Sequence, residues 1–138
     1  MRSKNISAAG NFKEGVMRIL LVEPGKKPEV KEINGELHTM QELVGGTIQA
    51  IYPFEEPVAL VCNDEGKLLG LPMNRALYDE EEQLYDIISG TFFLCGAPPD
   101  CDHFTSLTRE QVEKYQRKFA VPEMFLRVNG EIVILPII

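Results

Sequence analysis

The residues MRILLV, from Met17 to Val22, form a nearly unbroken run of apolar side chains. A run of this kind is typical of a strand that is buried on both of its faces. The residues before it are mostly small and polar and show no apolar period. We therefore predict that the folded domain begins at Met17 and that residues 1–16 form a disordered leader.

The leader has a second explanation at the level of the gene. Codons for Lys13, Glu14 and Gly15 can spell a bacterial ribosome-binding site shortly before the codon for Met17. On this hypothesis residues 1–16 are translated upstream sequence. The protein made from its native gene would then have the mass of a chain that starts at Met17, and an intact mass that includes residues 1–16 would contradict the hypothesis.

Further strands follow outward from this run. Pro24 and Gly25 favour a turn that brings the chain back as a second strand. Segments rich in β-branched and aromatic residues predict the others. The predicted strands span 29–33, 47–52, 58–62, 67–71 and 86–95, the last with a bulge at Gly90. We expect residues 72–75 to interrupt the sheet and the acidic segment 78–86 to form a surface loop.

A short helix is predicted near 38–45, where apolar residues recur at helical spacing. Thr39 and Glu42 have the spacing of a capping box. Gly45 and Gly46 follow the last apolar residue, and glycine is favoured in the left-handed conformation that ends many helices.

A longer helix over 109–119 has the clearest start signal in the chain. Thr108 and Gln111 form a capping box, and Leu107 and Val112 occupy the two positions of a hydrophobic staple. Val112 therefore belongs to the face that we expect to be buried.

The last part of the sequence predicts a closing hairpin. Asn129-Gly130 separates the segments 125–128 and 131–134, and this dipeptide favours the type I′ turn of two-residue hairpins. Because apolar residues occupy both faces of the hairpin, we expect it to pair within the sheet and to be covered on each side.

These elements predict an α+β fold, a mostly antiparallel mixed sheet of five to seven strands with one short and one longer helix packed on it. A chain of 138 residues is long enough to bury its own core, and we expect residues 17–138 to form a single domain. Within it, we predict a core of residues 17–96 with an appended helix and hairpin over 106–135.

Composition excludes several classes of protein. The formal net charge is −7, so binding to a phosphate backbone, which requires clustered Lys and Arg, is not expected. No apolar run reaches the roughly 18 residues of a membrane span, and no signal peptide is recognisable, so we predict a cytoplasmic protein. Cys62, Cys95 and Cys101 are expected to be free thiols.

No catalytic set, cofactor motif or metal site is predicted. Cys95, Cys101 and His103, with Asp100 and Asp102, have suitable ligand chemistry for zinc. Their spacing, however, matches structural zinc sites poorly. With only two histidines in the chain, little material is available for a nucleophile and its base.

The segment GLPMNRAL, residues 70–77, supplies the candidate contact residues Asn74 and Arg75. An amide beside a guanidinium can bind an anion or a carbonyl group. Alternatively, Asn74 caps the turn through its own backbone and Arg75 pairs with a carboxylate such as Asp86 or one of residues 79–82. The alternative for Gly45 and Gly46 is an ordinary helix cap.

From Met17 to Ile134 the chain resembles a bacterial and phage family known as domain of unknown function 3846. The segments that carry the resemblance are ILLVEPGKKPEV (19–30), LVGGTIQAIYPF (43–54), VCNDEGKLLGLPMNRAL (61–77), DIISGTFFLCG (86–96) and PEMFLRVNGEIVIL (122–135). The resemblance implies an accessory protein of phages or conjugative elements and implies no activity.

Three functional hypotheses follow. The first is a non-enzymatic protein that binds a host or element protein through residues 72–77 and the neighbouring Gly45 and Gly46. The second is a small-molecule binder or enzyme that uses Asn74, Arg75 and a carboxylate such as Asp86 or Glu23. The third is an acidic mimic of nucleic acid.

Overall fold

The structure, a computed structural model, describes the backbone of Ser3–Asn5 and residues 15–138. Within this part of the chain the elements are β1 (Ser3–Asn5), β2 (Val16–Val22), β3 (Glu29–Asn34), α1 (Leu37–Val44), β4 (Ile48–Ile51), β5 (Val58–Asn63), β6 (Met73–Tyr78), β7 (Leu84–Ser89), β8 (Phe92–Gly96), α2 (Arg109–Lys118), β9 (Glu123–Val128) and β10 (Glu131–Pro136). This content confirms the predicted α+β class. None of the described helices is long and apolar enough to cross a membrane.

The main sheet has the strand order β1-β4-β5-β8-β2-β3, and every neighbouring pair in it is antiparallel. Five of these strands come from residues 16 onward, and the backbone of β1 pairs with β4 at one edge. Strand β2 lies inside the sheet, with Leu20 opposite Leu94 of β8 on one side and Val30 of β3 on the other.

Both faces of the central strands of the sheet are buried, which is why these strands are nearly continuous apolar runs. Alternate residues of β2 face opposite sides: Met17, Ile19 and Leu21 pack with α1, whereas Leu20 and Val22 pack on the side of α2. The side of α1 is completed by Met40, Val44, Ile48, Ala50, Ala59, Val61, Phe93, Cys95 and Phe104. The opposite side is completed by Ile51, Val58, Leu60, Cys62, Leu77, Ile88, Phe92, Leu94, Leu107, Val112, Tyr115 and Phe119.

Helix α2 begins as predicted. The Thr108 hydroxyl accepts from the backbone N–H of Gln111, and the Gln111 side chain accepts from the N–H of Thr108, which completes the capping box. Leu107 and Val112 are both buried against the sheet.

The predicted capping box of α1 is wrong. The helix begins after Glu36, which makes no side-chain cap. The Asn34 side chain takes this role instead, because its oxygen accepts from the N–H of Glu36 (3.1 Å) and from the Thr39 hydroxyl (2.7 Å). A local side-chain bond from the end of β3 thus replaces the box.

The predicted course of residues 67–95 needs four corrections. Residues 67–71 form turns rather than a strand, and residues 73–78, which we expected partly as an interruption, form β6. The run 86–95 is two strands in different sheets, since Gly90 has a positive φ of 88° and turns the chain between β7 and β8. The acidic turn lies at 79–83, between β6 and β7.

The closing hairpin has the predicted type I′ loop but not the predicted position. Asn129 and Gly130 both have positive φ (52° and 82°), and Val128 lies opposite Glu131. Strands β9 and β10 form a two-stranded sheet of their own, separate from the main sheet. The apolar residues on both faces therefore do not mean that both faces are covered.

Within the predicted leader, residues 1–16, the backbone of Ser3–Asn5 forms β1 and is therefore not disordered. Residues 1–2 and 6–14 lie outside the described residues, so the rest of this prediction and the origin of the leader stay predictions. The division into a core of 17–96 and an appended layer also stays a prediction.

Candidate binding surface

Asn74, a predicted contact residue, lies in the interior and is fully buried. Its side-chain amide donates to the carbonyl oxygens of Val22 (2.8 Å) and Gly90 (2.9 Å). Asn74 therefore joins β6 to the ends of β2 and β7. It neither forms a turn cap through its own backbone nor faces a ligand.

Arg75 is also interior, with 2% of its surface exposed. Its guanidinium makes five hydrogen bonds, one for each N–H it carries. Nε and Nη2 donate to the Phe119 carbonyl (3.3 and 3.0 Å), Nη2 to the Lys26 carbonyl (2.6 Å), and Nη1 to the side-chain and backbone oxygens of Asn74 (2.9 and 3.3 Å). Burial lowers the pKa of Arg75, and the charge of Glu123 opposes this effect.

These contacts correct both sequence interpretations of Arg75. The guanidinium is not available to a partner or ligand, and the oxygens that hold it are carbonyl and amide groups rather than Asp86 or residues 79–82. Its function is to join β6 to the end of α2 and to the turn between β2 and β3.

Gly45 and Gly46 form an ordinary cap at the end of α1, and not a contact surface. Gly45 has a φ of 80°, and the N–H groups of both glycines donate to the Gln41 carbonyl (2.8 and 3.0 Å). A Cβ atom at Gly46 would meet the side chain of Asn63 at 2.9 Å. The neighbour of this glycine is thus Asn63 of β5, and not the segment 72–77.

Asp86 is the predicted site residue that the structure places at a cavity. Its carboxylate accepts from Lys67 Nζ at 2.6 Å and from the N–H of Ile87 at 2.7 Å. This ion pair lies between two cavities, of about 500 Å³ and about 160 Å³, and both are lined by Lys67 and Asp86.

The larger cavity, which we call the hairpin groove, lies between the β6–β7 hairpin and the β9–β10 hairpin. Its lining comprises Lys67, Met73, Leu84, Tyr85, Asp86, Ile87, Ser89, Arg127 and Ile132. Arg127 is exposed and makes no ion pair with any residue in the described part of the chain. The groove therefore has apolar walls and, at Arg127, a guanidinium that forms no ion pair with the described residues.

The smaller cavity reaches the thiol of Cys62. Burial, followed by the charges of Asp86 and Asp64, raises the pKa of Cys62 to about 11. The thiol is therefore protonated at neutral pH and is a poor nucleophile.

The other side of the β9–β10 hairpin carries a continuous apolar surface. Residues directly opposite each other in an antiparallel pair point to the same side. The register therefore places five apolar side chains together on the side away from the groove, and each is between 37% and 47% exposed: Met124, Leu126, Val128, Val133 and Leu135. We call this surface the hairpin face. Its one charged residue is Glu131, opposite Val128 near the turn.

The sequence contained the signal for this surface, which is the absence of polar alternation in EMFLRV and EIVILP. The same pattern also predicts burial on both sides, and the exposure of these side chains shows that this prediction is wrong. A contiguous exposed apolar patch is instead the usual mark of a binding surface.

Cys101, Asp102 and His103 form a cluster in the loop after β8. Cys101 Sγ lies 3.3 Å from Nδ1 and 3.4 Å from Nε2 of His103, and Nδ1 lies 3.2 Å from Asp102 Oδ1. Cys95, the remaining thiol with zinc-ligand chemistry in this part of the sequence, is fully buried in the core, where burial raises its pKa. All three cysteines are free thiols.

Comparison with known proteins identifies a family. Residues 17–120 match the family described as Domain of unknown function (DUF3846). No curated protein and no solved structure matches the chain. Because the matched residues make up most of the chain, the chain belongs to this family, and the β9–β10 hairpin lies beyond the matched residues.

Proposed function

We propose that this family member is a non-enzymatic accessory protein, of the kind carried by phages and conjugative elements, and that it binds a host or element protein through the hairpin face. The observation that carries the proposal is the exposure of five adjacent apolar side chains on one side of a two-stranded sheet. The hairpin face takes the place of segment 72–77 as the proposed contact surface, because Asn74 and Arg75 of that segment are buried.

The energetics of association favour this surface. Binding energy in protein interfaces comes mainly from a desolvated apolar centre, and charged residues are depleted there. The hairpin face has this composition, with Glu131 near its end. Burying it against another protein would remove apolar surface from water at about 25 cal/mol per Å².

The charge of the chain indicates the chemistry of the partner. The net charge is −7, so long-range attraction favours a partner that carries basic residues around its own apolar patch. We therefore expect association to become slower as salt is added, while the apolar contact determines how long the complex lasts.

The proposal predicts that Leu126 contacts the partner. A photo-crosslinking amino acid placed at Leu126 in the native host should yield one defined adduct, identified by mass spectrometry. With the purified partner, Leu126→Glu should weaken binding at least tenfold, because burying the new carboxylate without a partner costs more than about 1.4 kcal/mol.

Val30 on β3 provides the matched control, because it is 40% exposed where Leu126 is 42% exposed. The crosslinker at Val30 should give no such adduct, and Val30→Glu should bind the partner within about twofold of the unmodified chain. Equal adducts at both positions, or unchanged affinity of Leu126→Glu, would overturn the proposal. Unchanged affinity together with a steep loss of binding in salt would favour the acidic mimic.

A second function, small-molecule binding, is favoured by the hairpin groove. Its volume of about 500 Å³ lies within the range of ligand sites, and Lys67, Asp86 and Arg127 provide polar contacts beside apolar walls. Native mass spectrometry of the protein isolated from its host distinguishes the two functions. A retained small molecule would support this one, and a retained polypeptide would support the first.

A further inference from the structure

We propose that Cys101, Asp102 and His103 form a zinc site, a function independent of the binding role proposed above. A thiolate, an imidazole and a carboxylate are all ligands that zinc takes in proteins. Their ligand atoms lie within 4.8 Å of one another, so a single ion can reach all three. This inference replaces the sequence-based prediction of no metal, which relied on spacing along the chain.

The distances fit a tetrahedral ion. With zinc–ligand bonds of about 2.0–2.3 Å, neighbouring donor atoms lie roughly 3.3–3.6 Å apart. In the structure Cys101 Sγ lies 3.3 Å from His103 Nδ1, and Nδ1 lies 3.2 Å from Asp102 Oδ1. Because Sγ is nearly equidistant from the two ring nitrogens (3.3 and 3.4 Å), it lies over the face of the ring, and the His103 ring must rotate to aim Nδ1 at an ion shared with the thiolate.

The loop that carries these residues is held at both ends. Gly96 and Thr105 exchange two backbone hydrogen bonds, of 2.8 and 2.9 Å, which close the loop at its base. Phe104, next to His103, is buried in the core on the side of α1. The Cys101 N–H donates to the Pro98 carbonyl at 3.2 Å, which forms a turn before the ligands. The backbone that carries the ligands is thus held in place before an ion arrives, and the side chains complete the site by rotating.

The three ligands have different accessibility. The His103 side chain is 29% exposed and Cys101 is half-buried, whereas the Asp102 side chain is 93% exposed. We infer that Cys101 and His103 provide most of the affinity and that Asp102 adds to it. Water fills the fourth position, as in zinc sites with three protein ligands.

Cobalt titration of the full chain tests the site, because Co²⁺ substitutes for zinc and a cobalt–thiolate bond absorbs in the near ultraviolet. We expect one equivalent of Co²⁺ to produce this band and one equivalent of Zn²⁺ to remove it. Cys101→Ser should abolish the band, and His103→Asn should weaken cobalt binding at least a hundredfold. Asp102→Asn should weaken it about tenfold, less than the loss of either other ligand, because the Asp102 carboxylate is almost fully exposed.

The chain offers matched controls for both essential ligands. His38→Asn removes the other histidine, which is exposed on α1, and Cys62→Ser removes a buried thiol. Both controls should bind cobalt like the unmodified chain, with circular dichroism showing that every variant is folded. An absent thiolate band at 100 µM Co²⁺, or a band that persists in Cys101→Ser, would overturn the proposal.

Discussion

At the scale of single residues, the polar side chains that looked functional in the sequence serve to hold the fold together. Asn74 and Arg75 donate seven hydrogen bonds to oxygens of Val22, Lys26, Gly90, Phe119 and, within the pair, Asn74 itself. A buried guanidinium is tolerated only when all of its donors are satisfied. The pair therefore connects three parts of the chain that are distant in sequence.

Replacing Arg75 tests this role. Arg75→Met keeps much of the side-chain volume but leaves the carbonyls of Phe119 and Lys26 without their donor. The free energy of unfolding should fall by about 3 kcal/mol, measured by urea denaturation. The free energy of unfolding of Arg75→Lys should lie between that of Arg75→Met and that of the unmodified chain, because an ammonium group cannot reproduce the planar arrangement of donors.

Arg127→Met is the control for this experiment, since Arg127 is exposed and has no ion pair among the described residues. Its free energy of unfolding should stay within about 0.5 kcal/mol of the unmodified chain. Equal losses for the two methionine variants would show that the hydrogen bonds of Arg75 are not what stabilises the fold.

At the scale of elements, α2 is joined to the loop between β4 and β5 by an aromatic and polar contact. The Tyr115 ring lies 4.7 Å from the Phe54 ring, and the Tyr115 hydroxyl donates to Glu56 Oε1 at 2.7 Å. Lys114 Nζ lies 3.2 Å from the same oxygen. The hydrogen bond from Tyr115, assisted by Lys114, holds the pKa of Glu56 below its ordinary value, whereas burial raises the pKa of Tyr115.

This contact makes part of the stability dependent on pH. Because the pKa of Glu56 is lower in the folded protein, its contribution is present above the ordinary value of 4.5 and is lost as the pH falls below it. Glu56→Gln keeps an acceptor for Tyr115 but removes the charge. The unmodified chain should exceed this variant by less than about 1 kcal/mol at pH 7, since the Glu56 side chain is 37% exposed.

Urea denaturation between pH 7 and pH 3 measures this effect, and the difference between the two proteins should shrink toward zero as the pH falls. Glu55→Gln, at the exposed neighbouring carboxylate, should show no such trend. A difference that stays constant down to pH 3 would contradict the role of the Glu56 charge.

At the scale of the whole molecule, the β9–β10 hairpin lies outside both apolar clusters of the core. The residues of both apolar clusters end at Phe119, so the hairpin contributes none of them. The family match also ends at residue 120. The hairpin is joined to the core by polar contacts, including the bond from the Ala76 N–H to Glu123 Oε1 (2.8 Å), and by the side chains that face the groove.

A chain that ends at Ala120 should therefore fold. We expect its denaturation to remain cooperative, with a loss of about 1–3 kcal/mol from the contacts of the hairpin. Amide NMR shifts should change mainly in β6, β7 and the end of α2. A broad, non-cooperative transition would show instead that the hairpin is part of the folding unit.

Much of the fold followed from local sequence patterns. The buried run at Met17–Val22, the capping box at Thr108 and the turn at Asn129-Gly130 each depend on residues close together in the chain. Local patterns gave wrong predictions where the same pattern is compatible with two backbone arrangements, such as one long strand or two strands with a turn between them. The segment 86–95 reads as one strand because its apolar run is continuous, and only the backbone at Gly90 shows that the chain turns there.

The sequence by itself determined the α+β class, the longer helix and the type I′ hairpin, because neighbouring residues set backbone conformation and apolar periodicity. The tertiary structure decided which side chains are accessible. It buried Asn74 and Arg75 and exposed the hairpin face. The physical reason is that burial depends on what packs against a side chain, and those neighbours come from other parts of the chain.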